Sequence, residues 1–204
     1  GWLRLDGTAF DIVAPDGDVG IGNQLDATIE ARDLGIIRDL TNFTLVNDGT
    51  MTASGDGDLE PIGLHVTTES VGAAVVVENA GDIVVEADGP LLLPVDPVTA
   101  FSATTTDRNA TVDVTNAGRL IGSDRGLDLL GSFGGTVAVT NRSFEAGPRP
   151  EIAATRLAFG EGDARGLSAD AIGLRVRSDG DVSVVNDGLI RGPTTAVGIT
   201  AGKL

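Results

Sequence analysis

The sequence predicts an all-β chain wound as a parallel β-helix, a β-solenoid of about six three-stranded coils with loop insertions. Three observations predict it. A motif of apolar strand, Asn, any residue, Gly and a second apolar strand returns along the chain. The residues ahead of each Asn alternate, with one face strictly apolar. The composition suits a narrow interior of small layers, with 29 Gly and 41% hydrophobic residues but only 3% aromatic ones, Trp2 being the single Trp and Tyr being absent.

The motif is headed by Asn47, Asn79, Asn116, Asn141 and Asn186, at irregular intervals of roughly 25 to 45 residues, in the range of solenoids with variable loops. Two residues before each Asn stand Leu45, Val77, Val114, Val139 and Val184, and four before stand Phe43, Val75, Val112, Val137 and Val182. The positions between are mixed. Period two with one apolar face is a strand buried on one side, and each Asn shares the parity of the buried face. The five amides are therefore expected to point inward and stack as a ladder at one corner, each satisfying the next. The other reading of each Asn is a turn residue tolerant of left-handed backbone.

Gly49, Gly81, Gly118 and Gly188 follow two residues after their Asn, whereas Arg142 and Ser143 follow Asn141. A glycine there is expected to take a positive φ and turn the corner. The second strand begins beyond it, with Met51, Ile83, Leu120 and Ile190 as core positions. A third strand carries Gly followed by an apolar residue, as in LGIIRDL, IGLHVTT, RGLDLLG, IGLRVRS and VGITAG. The stretch DATIEARDLGIIRDL fits the later two strands of an earlier unit. The Asn-x-Gly segment is thus a corner of a coil rather than a hairpin tip. One solenoid domain covers 1–204.

Two segments interrupt the rhythm. Residues 88–109 hold three prolines and a Leu91-Leu92-Leu93 run, and residues 142–171 hold Pro148, Pro150 and several charges. Proline disfavours central strands, so both are expected as loop excursions, each with room for one irregular strand. The best helical candidate is EIAATRLAFGEGDARGLSADA at 151–171, which glycine interrupts.

Charge narrows the partners. The formal net charge is −16, and Lys203 is the only Lys, so nucleic acid and anionic lipid surfaces are repelled. No Cys is present, which excludes disulfides and thiolate metal sites. No apolar run is long enough to insert into a bilayer as a helix. The opening GWLRLDGTAF lacks the plan of a signal peptide, and the expectation is a segment of a longer chain.

For chemistry, the Asp-Gly-Asp triplet occurs at Asp16 and Asp18, Asp56 and Asp58, and Asp179 and Asp181. Paired carboxylates beside a bending glycine suit Ca²⁺, but further oxygen ligands are missing and Asp-Gly is a common tight-turn pair, so the turn reading carries more weight. Outward positions of the third strand are His65, Asp128 and Arg175. If His65 and Asp128 stand two coils apart, roughly 10 Å separates them, too far for a direct general-base pair. No nucleophile elbow or phosphate loop is present, and VGIGNQ lacks the helix that a dinucleotide fingerprint needs. No catalytic residue is assigned.

The runs TVDVTNAGRLIG, FTLVNDGTMTA and VSVVNDGLIRG, with strands such as AIGLRV between them, resemble the passenger β-helices of bacterial autotransporters and haemagglutinin-like adhesins over about residues 26–201. The resemblance implies a right-handed coil, secretion, display at the bacterial cell surface and a rod-like adhesive role. The expected partners are a host or cell-surface protein or a glycan, met by loops 88–109 and 142–171. End-to-end or homo-oligomeric association is a further expectation. The alternatives are a polysaccharide lyase or hydrolase on the same scaffold and a subunit of a surface filament or layer.

Overall fold

A computed structural model of the chain describes residues 1–56, 60–88, 97–131, 134–143, 149–155 and 171–202. The chain forms one 16-stranded parallel sheet wound into a β-helix, with no helix among the described residues. The first two coils are single long bent strands, β1 (Trp2–Asn23) and β2 (Thr28–Asn47), paired from Trp2↔Thr28 to Asn23↔Asn47. Later coils break into separate strands: β3 (Thr50–Asp56), β4 (Leu64–Thr68) and β5 (Ala74–Asn79), then β6 (Asp82–Asp88), β7 (Thr99–Thr105) and β8 (Thr111–Asn116). The series continues with β9 (Arg119–Gly122), β10 (Arg125–Gly131) and β11 (Thr136–Asn141), then β12 (Glu151–Ala154), β13 (Ile172–Ser178) and β14 (Val182–Asn186), then β15 (Leu189–Arg191) and β16 (Thr195–Ala201).

Three faces result. β3, β6, β9, β12 and β15 stack on the first parts of β1 and β2. β4, β7, β10, β13 and β16 stack on their middles, and β5, β8, β11 and β14 on their ends. At about 4.8 Å per rung the rod is on the order of 30 Å long.

The alternation read from the sequence is what builds the interior. Leu45, Val77, Val114, Val139 and Val184 form one column in strict register, and Phe43, Val75, Val112, Val137 and Val182 form its neighbour. On the first face Ile29, Met51, Ile83, Leu120, Ile152 and Ile190 form another. Leu64, Phe101, Leu127, Leu174 and Val197 line the middle face. Each fully buried aliphatic side chain contributes about 1.5–3 kcal/mol by leaving water. Phe43 and Phe101, both fully buried, stack with ring centroids 6.4 Å apart in a core that is mainly aliphatic.

The expected loop excursions need correction. Within 88–109, Thr99–Thr105 is the regular strand β7, in register with β4 and β10. Ala100 stands where other coils have Gly, and Phe101, Ala103 and Thr105 supply the inward face. Within 142–171, Glu151–Ala154 is strand β12, because Ile152 and Ala154 continue the first face, so the helical candidate does not begin there. Residues 89–96, 144–148 and 156–170 of these excursions lie outside the described residues. LGIIRDL also sits one residue off the other Gly-apolar strands, since Gly35, not an apolar residue, pairs with Leu64.

Candidate functional site

The Asn corner is a continuous amide ladder. Asn47 Nδ2 donates to Asn79 Oδ1 at 2.7 Å, Asn79 to Asn116 at 2.7 Å, Asn116 to Asn141 at 2.7 Å and Asn141 to Asn186 at 2.7 Å. The remaining amide hydrogens reach corner carbonyls, as in Asn79 to Gly81 O at 3.0 Å and Asn116 to Gly118 O at 3.0 Å. The inner members are fully buried, which is tolerable because every polar group has a partner. A sixth member heads the ladder: Asn23 Nδ2 donates to Asn47 Oδ1 at 2.8 Å. Sequence reading passed over it because Gln24-Leu25-Asp26-Ala27 follows in place of x-Gly. The available signal was Ile21 and Val19 at the apolar spacing before it.

The corner glycines do a different job from the one expected. Positive φ occurs at Gly35, Gly72, Gly134 and Gly202, not at Gly49, Gly81, Gly118 or Gly188. What they provide is room. A Cβ on Gly81 would stand 1.9 Å from Gly49 O, and one on Gly118 would stand 1.8 Å from Gly81 O. On Gly49 it would meet Ala27 O at 2.3 Å, and on Gly188 it would meet Asn141 Nδ2 at 2.5 Å. The same carbonyls bind the next coil, as in Asp82 N–H to Gly49 O at 2.9 Å and Arg119 N–H to Gly81 O at 2.9 Å. Corner hydrogen bonding and close stacking therefore both require a residue without a side chain.

The Asp-Gly-Asp triplets lie at separate places. Asp16 has a positive φ of 57°, and Asp18 accepts from Asn42 Nδ2 at 2.8 Å. Asp179 accepts from Gly134 N–H at 2.5 Å, and the carbonyl of Asp181 accepts from Val137 N–H at 2.9 Å. Asp58 and the side chain of Asp56 fall outside the described residues. Among the described residues, no three His, Asp or Glu side chains converge as a metal cluster.

The outer surface of the middle face carries a polar row. Ladder register aligns Ile36, His65, Ser102, Asp128, Arg175 and Gly198, one per coil. This places Ser102 between His65 and Asp128, so the two lie two coils apart. His65 Nδ1 and Ser102 Oγ share a hydrogen bond at 2.5 Å. Asp128 is gripped from both sides: Arg125 Nη1 donates to it at 2.9 Å, Arg175 Nε donates at 2.8 Å, and Arg175 Nη2 completes a forked pair. The side chains of Arg125, Asp128 and Arg175 are 6%, 13% and 18% exposed, so this is a part-buried, charge-assisted cluster rather than a surface pair.

A serine touching a histidine is the contact that activates a nucleophile. Here the carboxylate adjoins the serine instead of orienting the histidine, and two guanidiniums already neutralise it. Neither Ser102 nor Arg125 was singled out from the sequence, since Ser102 lies in the stretch read as a loop and Arg125 opens a strand without marking an outward row.

Beside the Asn corner, on the third face, Asp48, Glu78, Asn79, Ala80, Thr115, Thr140 and Arg142 line a shallow groove of about 490 Å³. No helix among the described residues is long and apolar enough to cross a membrane. Comparison of the chain with protein-family models, with curated proteins and with solved structures finds no match.

Proposed function

We propose that the chain is a non-enzymatic extracellular rod, a β-solenoid segment of a bacterial surface adhesin of the autotransporter-passenger kind, which holds a binding face at a distance from its anchor. The observation that carries this reading is the unbroken amide ladder from Asn23 to Asn186, which ties successive coils into one stiff unit. The pairing of Asp128 with Arg125 and Arg175 also supports binding over turnover, because the two guanidiniums occupy both carboxylate oxygens that a general acid or base would need free. Val197 and Ile199 face the axis yet stand 39% and 47% exposed, which supports end-on association with a further coil as an additional property.

The second reading is a polysaccharide-active enzyme, favoured by the His65–Ser102 contact. One experiment separates the two. The purified chain, immobilised on beads, is offered a panel of polysaccharides and intact cells, while new reducing or unsaturated chain ends are followed over time. Retention of a ligand with no new ends is the expected result. Chain ends that accumulate with the wild-type chain and not with Ser102→Ala would overturn the adhesin reading, and so would failure to retain any ligand.

A further inference from the structure

The groove beside the Asn corner carries opposite charges at its two ends. The residue after each ladder Asn forms a row along the rod, Asp48, Ala80, Ala117, Arg142 and Asp187, each N–H donating to the carbonyl of the ladder Asn one coil earlier. The outward residue before each Asn forms a second row, Val46, Glu78, Thr115, Thr140 and Val185. The groove lies where the rows meet: Asp48 and Glu78 line one end, Arg142 lines the other, and Ala80, Thr115 and Thr140 line the stretch between. Register puts Arg142 two rungs from Glu78 and three from Asp48, about 10 Å and about 14 Å along the rod.

Asp48, Glu78 and Arg142 are all exposed, so a ligand from solvent reaches them. Among the described residues none of the three enters a side-chain hydrogen bond or ion pair. The next charges on this face, Asp113 of β8 and Asp187 on the rung beyond Arg142, form no ion pair there either. The two ends stand further apart than the roughly 8 Å screening length of physiological salt, so each acts on a ligand separately. Charge complementarity then selects the occupant. An acidic glycan would be repelled by Asp48 and Glu78, a neutral one would leave all three charges unmatched, and no aromatic ring lines the groove for a sugar to stack on. An extended peptide rises about 3.3 Å per residue, so its side chains at i and i+4 share one face about 13 Å apart, which matches the span from the acids to Arg142. A Lys or Arg of the peptide meets Asp48 and Glu78, an Asp or Glu four positions away meets the planar fork of Arg142, and the hydroxyls of Thr115 and Thr140 face the backbone between.

We infer that this groove binds an extended segment of a cell-surface protein that bears a basic and an acidic residue four positions apart. The segment lies along the rod axis, across the strands, so it is read by its side chains and not by adding a strand to a sheet edge. This rests on the adhesin reading and names its partner class.

The test is an NMR titration of the isotope-labelled chain with capped Gly/Ser peptides that carry either Lys and Glu or two Lys residues four positions apart, at two salt concentrations. The expected result is salt-sensitive binding of the Lys/Glu peptide that moves the amide signals of Ala80, Thr115 and Thr140. Arg142→Glu, at an exposed position outside the ladder, should weaken that peptide about fivefold or more and strengthen the Lys/Lys peptide, a compensation that general damage to the chain would not produce. Absence of Lys/Glu binding, binding that ignores Arg142→Glu, or shifts confined to another face overturns the inference. So does an oligosaccharide that moves the groove signals when the peptide does not, since the groove then takes a glycan. If the Arg142→Glu chain on beads retains its ligand as the wild type does, the adhesin reading stands without this groove.

Discussion

The side-chain amides of Asn79 and Asn116, 37 residues apart in the chain, meet in a buried 2.7 Å hydrogen bond. The same contact recurs from coil to coil, so each inner Asn both donates and accepts along the rod axis. An interior built this way has a definite weak point: removing one amide takes a partner from the donor above and orphans the acceptor below.

Asn116→Ala should therefore cost about 2–3 kcal/mol, since it leaves Asn141 Oδ1 without its donor in a dry corner and takes one partner each from Asn79 Nδ2 and the carbonyl of Gly118. Asn186→Ala should cost about 1 kcal/mol or less, because Asn186 is an exposed last rung that accepts from Asn141 alone within the ladder. Urea unfolding of both variants checks the contrast. Equal losses would mean that the bonds do not act as a ladder.

The glycines give a second contrast. Gly118→Ala puts a Cβ against backbone, 1.8 Å from Gly81 O, so the coils must separate, and a loss of about 3 kcal/mol or more is expected. Gly22→Ala, on the outward side of β1 with nothing within 4 Å of the new Cβ, should stay within about 0.5 kcal/mol of wild type. Thermal melting measures both. A neutral Gly118→Ala would show that the corner has slack the structure does not contain.

How far these features could be read in advance follows from what is local. The Val and Asn columns were legible because strand parity is written in neighbouring residues: Val75, Val77 and Asn79 share a face whatever lies above them. The reason for glycine at Gly81 was not legible, since the crowding comes from Gly49 O, a whole coil earlier in sequence. Strand β7 escaped because Ala100 replaces the marker glycine and its alternation is written in Ser and Thr. The His65–Ser102 contact and the Arg cluster around Asp128 depend on which coils abut, and that needed the register of β4, β7, β10 and β13.

Calcium offers a third test. Asp18 and Asp179 are already engaged, by the Asn42 amide and the Gly134 N–H, as turn residues are. On the turn reading, millimolar Ca²⁺ leaves the melting temperature where it stands in chelator. A rise of several degrees would establish native-state binding and return the Asp-Gly-Asp triplets to the site.

The central claim, that successive coils stack in strict register, is tested most directly by a distance between two spin labels. Thr44, Val76, Asp113, Ala138 and Ser183 form one outward column, and the chain has no Cys to interfere. Labels at Thr44→Cys and Ser183→Cys span four rungs, so pulsed dipolar spectroscopy should give a single narrow distance near about 19 Å, shortening to about 14 Å when Ala138→Cys replaces Ser183→Cys. A broad distribution, or a distance that does not fall as a rung is removed, would contradict the β-helix and the rod built on it.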